Sequence, residues 1–273
     1  SVIISPDGNR LAFVSKSRLF TRRLDEPRAA ELAGTEGAFE PFFSPDSQWV
    51  AFFAGGKLKK ISVNGGSDIP LCDAAVPFGG SWGEDGSIIA ALTEIGPLSR
   101  ISSAGGAPAR VTELVQGEAT HRWPQILPGG RAVLFTAHTS TTGFDDANIE
   151  VMSFKDHRRK TLQRGGTYGR YLPSGHLVYF NKGTLFAVPF DLDKLEVGGT
   201  PSPVLNVAAP TLATGSAQFD FSQGGTLVYR SGGAASGLVT LQWLDSAGKT
   251  QPLPAKPGLF RHLRLSPDGK LLA

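Results

Sequence analysis

The chain has 273 residues, of which 40% are hydrophobic, and a formal net charge of +3 with a pI near 9.0. The length and the hydrophobic content suffice for one large core, so we expect a single domain over residues 1–273. The mild positive charge is scattered and no hydrophobic run is long enough to span a membrane, so we expect neither nucleic acid nor a membrane as a partner. The single cysteine, Cys72, excludes an internal disulfide.

A four-residue turn motif divides the chain into repeats. Its clearest copies read Ser-Pro-Asp-Gly, at residues 5–8 and 266–269. Proline pre-sets φ, aspartate bonds its own backbone, and glycine takes the positive φ that ends the turn. The seven copies, spaced 39 to 50 residues apart, end at Gly8, Ser47, Gly86, Gly130, Gly175, Gly225 and Gly269. A strand-rich repeat of this length is typical of a β-propeller with one repeat per blade.

Each repeat predicts four antiparallel strands, a to d. Strand a precedes the turn, at residues 39–43, 78–82, 122–126, 168–171, 218–221 and 259–265. The apolar strand b follows it, at residues 10–14, 49–53, 87–91, 132–135, 176–180 and 226–229. A half-polar strand c such as 57–63, a glycine turn and an outer strand d such as 67–71 complete the unit. We find no convincing helix in a chain with 34 glycines and 19 prolines.

Both ends of the chain fall in the same phase of the repeat. Residues 1–4 read as the end of a strand a, and residues 271–273 as the start of a strand b. The chain is therefore either a window of a longer repeat array or a ring whose ends overlap. In the ring, residues 258–265 would supply the strand a that the N-terminal repeat lacks. We predict a six-bladed β-propeller of four-stranded antiparallel blades, with an incomplete seven-bladed propeller as the alternative.

Alignment of the repeats on their turn predicts which side chains face the central channel. Seven positions before the last turn residue lie Glu40, Gly79, Trp123, Tyr168, Gln218 and His262. Five positions before it lie Phe42, Ser81, Gln125, Arg170, Asp220 and Arg264. Both sets contain ionisable groups, which are costly in a core, so we expect them at the channel or its mouth. The set four positions before the turn residue is apolar and is predicted to be core between blades: Phe43, Trp82, Ile126, Tyr171, Phe221 and Leu265.

The fourth repeat adds polar groups where its strand a begins, in His121-Arg122-Trp123-Pro124. It also has a long loop, 138–148, which carries Asp145 and Asp146, and long loops on a rigid scaffold often carry function. We place the candidate site at the end of the channel where the inner strands begin. The candidate ligand-binding residues are Glu40, His121, Arg122, Trp123, Tyr168, Arg170, Gln218, Asp220, His262 and Arg264.

Three interpretations of this region stay open. Its carboxylates and histidines could hold a divalent cation that activates water, through Glu40, His121, Asp145, Asp146, Asp220 and His262. The region could instead bind a polar ligand through charge-assisted hydrogen bonds. The structural alternative is a water-filled channel whose residues satisfy one another. Nucleophilic catalysis is less favoured, because the chain has no Gly-x-Ser-x-Gly motif.

The turn motif followed by an apolar strand resembles the PD40, or WD40-like, repeats of TolB-type propellers. Residues 42–46, 57–60, 121–130, 171–179 and 183–191 are also similar to the propeller region of large bacterial serine/threonine kinases. In that family the propeller follows a kinase domain and a membrane segment. The resemblance implies an extracytoplasmic sensor or interaction module, periplasmic or at the cell surface. The chain itself has no His-Arg-Asp or Asp-Phe-Gly kinase motif.

Two functions follow from these observations. The first is a sensor or interaction propeller without catalysis, which binds a small polar ligand, a protein or a peptide at the channel face. The second is a metal-dependent hydrolase, similar to propeller lactonases, esterases and phosphotriesterases, which would need a divalent cation such as Ca, Zn or Mn. We favour the first, because the chain has no catalytic motif and no carboxylate recurs at one aligned position.

Overall fold

The computed structural model describes residues 1–206, 214–229, 242–244 and 249–252. These residues form an all-β propeller in which five sheets follow one another along the chain. Blade 1 contains β1 (Val2–Ile4), β2 (Arg10–Ser15), β3 (Arg18–Arg23) and β4 (Ala30–Glu31). Blade 2 contains β5 (Phe39–Phe43), β6 (Trp49–Ala54), β7 (Lys57–Ser62) and β8 (Ile69–Asp73). Blade 3 contains β9 (Gly80–Trp82), β10 (Ser87–Ala90), β11 (Ser99–Ser102) and β12 (Ala109–Arg110).

The fourth and fifth blades continue this pattern. Blade 4 contains β13 (Thr120–Ile126), β14 (Ala132–His138), β15 (Asn148–Ser153) and β16 (Arg159–Arg164). Blade 5 contains β17 (Thr167–Leu172), β18 (His176–Asn181), β19 (Thr184–Asp191), β20 (Glu196–Val197) and β21 (Ser202–Asn206). The last two strands of blade 5 share the outer edge of β19. Two antiparallel pairs follow, β22 (Phe219–Phe221) with β23 (Leu227–Tyr229), and β24 (Gln242–Leu244) with β25 (Thr250–Pro252).

Helical structure in the described ranges is limited to two 3₁₀ turns, Pro128–Gly130 and Phe144–Asp146. This agrees with the expectation from the glycine and proline content. The same ranges contain no helix of the length and hydropathy needed to cross a lipid bilayer.

The recurring turn motif forms a hydrogen-bonded unit between strands a and b. In the first copy, the hydroxyl of Ser5 donates to Asp7, and the Asp7 carboxylate accepts the backbone N–H of Asn9 over 3.1 Å. The turn ends at Gly8 with φ +76°. The second copy repeats the arrangement with Ser44 and Asp46. The serine and aspartate therefore satisfy backbone donors in a turn that cannot form sheet bonds.

The inner strands share a backbone irregularity at equivalent positions. Strands β5, β13 and β17 each contain a β-bulge. Within these bulges Glu40, Trp123 and Tyr168 have φ of 44°, 56° and 55°. Gly79 holds the matching position of blade 3 with φ +85°. Positive φ is unfavourable for residues with a side chain, and a bulge redirects side chains, so these bulges aim three large residues at the channel.

The hydrophobic core consists of separate clusters between neighbouring blades. Side chains of a strand alternate between its two faces, so Val50 and Phe52 pack towards blade 1 and Ala51 and Phe53 towards blade 3. The predicted apolar set packs into these clusters. All five described members also line the channel; Phe43 is buried, whereas the other four are only half-buried: Trp82, Ile126, Tyr171 and Phe221. Leu265 lies outside the described residues.

The N-terminal repeat corrects one expectation. Blade 1 does not lack its strand a, because β1 pairs with β2 from Val2 to Ile4 and completes a four-stranded sheet. A replacement strand is therefore not needed in this blade. Residues 258–265, to which we assigned that role, lie outside the described part of the chain.

Candidate functional site

A cavity of about 590 Å³ occupies the centre of the propeller. Its wall is formed by the six strands β1, β5, β9, β13, β17 and β22. Its lining also includes exposed residues of the turns after these strands, such as Glu84, Gly129, Pro173 and Gln223. The cavity therefore opens at the face that carries the a–b turns. This corrects the expected position of the mouth, which we placed where the inner strands begin.

Aromatic side chains cover the opposite, inner end of the cavity. The ring of Trp123 lies 6.1 Å from that of Phe78 and 5.5 Å from that of Tyr168, measured between centroids. Tyr168 in turn contacts Phe219 at 5.3 Å. These residues come from blades 3, 4 and 5 and from β22, and Trp123 is only 2% exposed. They form a floor beneath the cavity.

A short segment, residues 214–217, lies behind this floor. The indole Nε1 of Trp123 donates to the carbonyl oxygen of Thr214 over 3.0 Å. The hydroxyl of Thr167 donates to the carbonyl oxygen of Gly215 over 2.8 Å. A side chain at Gly215 would meet Phe144 and Thr167 at 2.6 Å, so only glycine fits this close approach. The segment therefore holds the starts of β13 and β17 together.

Polar side chains five positions before the turn residue connect neighbouring inner strands. The Oγ of Ser81 accepts the backbone N–H of Ile126 over 2.9 Å. The side-chain amide of Gln125 accepts the N–H of Tyr171 over 2.7 Å and donates to its carbonyl oxygen over 3.2 Å. Inner strands of a propeller lack a sheet partner on the channel side, so these side chains satisfy otherwise open backbone groups. Part of the predicted polar set is therefore structural.

Asp220 makes the same kind of connection and also faces the cavity. Its Oδ2 accepts the backbone N–H of Ile4 in blade 1 over 3.0 Å. Burial raises the pKa of Asp220 from 3.8 to about 6, although the backbone hydrogen bonds and the charge of Arg170 oppose this shift. The carboxyl group is therefore more readily protonated than an exposed aspartate.

Arg170 supplies a positive charge to the cavity wall. Its Nη1 donates to the carbonyl oxygens of Trp123 over 2.9 Å and of Gly169 over 2.8 Å. Its guanidinium carbon lies 3.9 Å from the centroid of the Tyr168 ring, which is a cation–π contact. Arg170 forms no ion pair with any carboxylate of the described residues. The guanidinium is thus held by backbone oxygens and an aromatic face.

Glu40 differs from the other charged residues of the wall. It lines the cavity, yet its carboxylate forms no hydrogen bond or ion pair with any described residue. Burial raises its pKa, against the lowering effect of the Ser1 amino group and Arg170. Its φ of 44° adds backbone strain. The side chain is half-buried and its carboxylate remains accessible from the cavity, so it is available to a ligand.

His121 was expected to point into the channel, and this prediction is wrong. The side chain is fully buried in a private network of hydrogen bonds. Its Nε2 lies 3.0 Å from Glu118 Oε2 and its Nδ1 lies 2.8 Å from Thr112 Oγ1. Arg159 pairs with both Glu118 and Glu150. Burial lowers the pKa of His121 despite the neighbouring carboxylates, which keeps the ring neutral.

Arg122 is also buried away from the cavity. Its guanidinium carbon lies 3.5 Å from the ring centroid of Phe78 and 4.7 Å from that of Phe144. The guanidinium also donates hydrogen bonds to Thr120 Oγ1 and to the carbonyl oxygens of Glu94 and Thr214. Burial lowers its pKa to about 10, so it stays charged at neutral pH. This side chain joins blades rather than facing a ligand.

The other predicted site residues do not line the cavity. Gln218 is half-buried outside the lining. Asp145 and Asp146 lie in the second 3₁₀ turn, where Asp146 is exposed. His262 and Arg264 lie outside the described residues. The predicted metal set is therefore not brought together, and across the described ranges no three His, Cys, Asp or Glu side chains come close enough to hold a metal ion.

The cavity thus gathers five of the ten predicted ligand-binding residues, Glu40, Trp123, Tyr168, Arg170 and Asp220. It adds the aromatic residues Phe42 and Trp82, which we had assigned to neither the ligand nor the metal set. Their positions in the aligned repeats could have indicated this, because Phe42 lies five residues and Trp82 four residues before the last residue of its a–b turn. The β-bulges in β5, β13 and β17 decide which side chains of the inner strands reach the cavity, and no sequence pattern in the repeats predicts these bulges.

Comparison with known proteins shows the fold. No protein-family model and no curated protein sequence matches the chain. Among solved structures, putative TolB from Agrobacterium tumefaciens superposes with a TM-score of 0.60 at 16% identity, over 76% of this chain and 80% of that one. TolB from Acinetobacter baumannii has a TM-score of 0.60 at 13% identity, over 76% of this chain and 54% of its own.

Similar structures differ in what their names describe. A streptogramin B lyase superposes with a TM-score of 0.59 at 12% identity, over 98% of this chain and 87% of that one. These identities are low and the neighbours are diverse, so the likeness establishes a β-propeller with distant resemblance to TolB and to other propellers. It does not transfer an activity.

Proposed function

We propose that the chain is a non-catalytic binding propeller that holds a small polar ligand, or a peptide segment, in its central cavity. The observation that carries the proposal is Glu40, a carboxylate that faces the cavity without a hydrogen-bond partner among the described residues. The cavity is of a size typical of small-molecule sites, and it combines aromatic walls with a few charged groups. The charged groups Glu40, Arg170 and Asp220 are not paired with one another.

We further propose that the complete ring has six blades, with β22 and β23 as strands a and b of the sixth. Three observations support this. The six inner strands all line the cavity. The backbone N–H of Gln223 donates to the carbonyl oxygen of Pro6 over 2.9 Å, between the turn after β22 and the turn after β1. The contact from Asp220 to Ile4 repeats the contact from Gln125 to Tyr171 between consecutive blades.

The sensor interpretation extends this proposal. The resemblance of the repeats to TolB-type propellers and to the propeller of bacterial kinases favours an extracytoplasmic binding module. The structural likeness to two TolB proteins is consistent with that idea at the level of fold. The hydrolase alternative has no comparable support, because the predicted metal ligands are dispersed in the part of the chain that the structure describes.

A blocked cavity tests the binding function. Ile3 lines the cavity and makes no side-chain hydrogen bond, so Ile3→Trp should fill the space without removing a polar contact. Val204, 58% exposed on the outer strand β21, offers the matched control Val204→Trp. Thermal shift against a library of cationic, anionic and neutral metabolites and short peptides should find compounds that stabilise the parent chain and Val204→Trp but not Ile3→Trp.

Two results would overturn the proposal. One is a library in which no compound stabilises the parent chain, or in which each active compound stabilises Ile3→Trp equally. The other is turnover of ester or lactone substrates after addition of Ca, Zn or Mn, when that turnover is lost in Ile3→Trp. The second result would favour the hydrolase.

A further inference from the structure

Of the three charged side chains in the cavity wall, two form hydrogen bonds within the described residues and one does not. Asp220 receives the N–H of Ile4, and Arg170 donates to two carbonyl oxygens. Glu40 receives no hydrogen bond from the described residues, and in its ionised form a carboxylate can accept hydrogen bonds but cannot donate them. A ligand that completes this site must therefore bring a donor, and charge-assisted donors make the strongest bonds to a carboxylate.

The walls around Glu40 suit a cation that carries an apolar body. Phe42, Trp82, Trp123 and Tyr168 all line the same cavity. Aromatic faces attract cations. The Arg170 guanidinium occupies one face of Tyr168 at 3.9 Å, so the ligand cation is left the other aromatic surfaces of the cavity. The cavity therefore offers both a counter-charge and a surface for the carbon skeleton of the ligand.

We propose that the inner end of the cavity binds the ammonium group of an organic amine, with Glu40 as its counter-ion and with Trp123 and Tyr168 beside it. This inference rests on the proposed binding function and names the class of ligand. The ammonium group belongs either to a free amine or to a lysine side chain of a peptide, since the two present the same chemistry.

The protonation of Glu40 gives the site a dependence on pH. The charged or titratable groups that act on this region are Arg170, Asp220, Tyr168 and the amino group of Ser1. Because burial raises the pKa of Glu40, its carboxylate takes up a proton at a higher pH than an exposed glutamate does. Only the ionised form attracts a cation, so affinity for an amine should rise as pH increases through the pKa of Glu40.

Calorimetric titration with 2-phenylethylammonium tests the inference. We expect binding to the parent chain at pH 8, weaker binding at pH 5, and at least tenfold weaker binding to Glu40→Gln at pH 8. Glu196→Gln removes a carboxylate outside the cavity lining, in a surface pair with Lys160, and should change affinity less than twofold. A short peptide with one lysine, acetyl-Gly-Lys-Gly-amide, distinguishes a peptide ligand from a free amine, and binding of either probe supports the inference.

Neutral and anionic analogues complete the experiment. The inference predicts at least tenfold weaker binding of 2-phenylethanol and 3-phenylpropionate. It is overturned if neither cationic probe binds, if the anion binds more tightly, or if Glu40→Gln binds the amine unchanged while circular dichroism shows it folded. Should the anion bind the parent chain but not Ile3→Trp, the binding function stands and only the ammonium assignment fails.

Discussion

The backbone N–H of Ile4 donates to Asp220 Oδ2 over 3.0 Å, which joins β1 to β22 across 216 residues of sequence. Ser81 and Gln125 accept backbone N–H groups of the following blade in the same way. A single polar position of the repeat thus connects several inner strands. At Asp220 the connection brings the first described blade together with β22.

Removal of the Asp220 carboxylate should weaken the junction between β1 and β22. We expect Asp220→Ala to lower the free energy of unfolding by about 1–3 kcal/mol, because the Ile4 N–H loses a charged acceptor. Asp220→Asn keeps an acceptor oxygen and should lose less. Urea denaturation measures the difference, and faster hydrogen exchange at the Ile4 amide would locate it. An unchanged midpoint and unchanged exchange in Asp220→Ala would contradict the role of this contact.

The raised pKa of Asp220 predicts a pH dependence of stability. The folded state holds a proton up to about pH 6, whereas the unfolded chain releases it near 3.8. Between these values the folded state binds more protons, so this group stabilises the fold below about pH 4, and that contribution is lost as pH rises through about 6. Thermal unfolding of the parent chain and Asp220→Asn from pH 4 to 7 measures it. The parent should lose stability relative to the variant as pH rises.

Two equivalent positions of the repeat, Glu40 in blade 2 and Gly79 in blade 3, should respond oppositely to substitution. Glu40→Gly removes a side chain from a position with φ of 44° and should raise the free energy of unfolding by about 1 kcal/mol. Gly79→Ala adds a Cβ that would meet Trp123 Cε3 at 2.7 Å, at φ +85°, and should cost about 2–4 kcal/mol. Chemical denaturation of both variants checks the pair. A loss of stability in Glu40→Gly would mean that the glutamate side chain supports the fold.

The buried network around His121 should stabilise the folded state, and this contribution should depend on the ionisation of Glu118. Burial raises the pKa of Glu118, but hydrogen bonds from His121 and Arg159 outweigh it and lower the pKa from 4.5 to about 2. This contribution is complete above about pH 4.5 and is lost as pH falls through 2. We expect Glu118→Gln to cost about 3 kcal/mol at pH 7, and the difference from the parent to shrink at low pH.

The exposed pair of Lys160 and Glu196 provides the control for that experiment. Glu196→Gln removes a surface ion pair of 2.7 Å and should change stability by less than about 1 kcal/mol. Equal effects of the two substitutions at pH 7 would show that the buried network contributes no more than a surface pair.

The repeat alone predicted the strands and the kind of fold. The turn motif and the apolar strands b, such as Trp49–Ala54, are local patterns, and each blade is formed by strands adjacent in sequence. The alignment also placed Glu40, Tyr168, Arg170 and Asp220 on the cavity wall, because equivalent inner strands converge on one axis.

The tertiary structure decided what these residues contact. His121 and Arg122 precede Trp123 directly in the sequence, yet both are buried between blades while Trp123 lies at the cavity floor. The bulge in β13 and the segment 214–217 produce this difference, and both depend on contacts between residues far apart in the chain. The direction in which the cavity opens likewise follows from aromatic packing across several blades. The sequence by itself determined the repeating local structure, because turn and strand preferences act within a few residues, whereas side-chain direction and pairing depended on how the blades pack together.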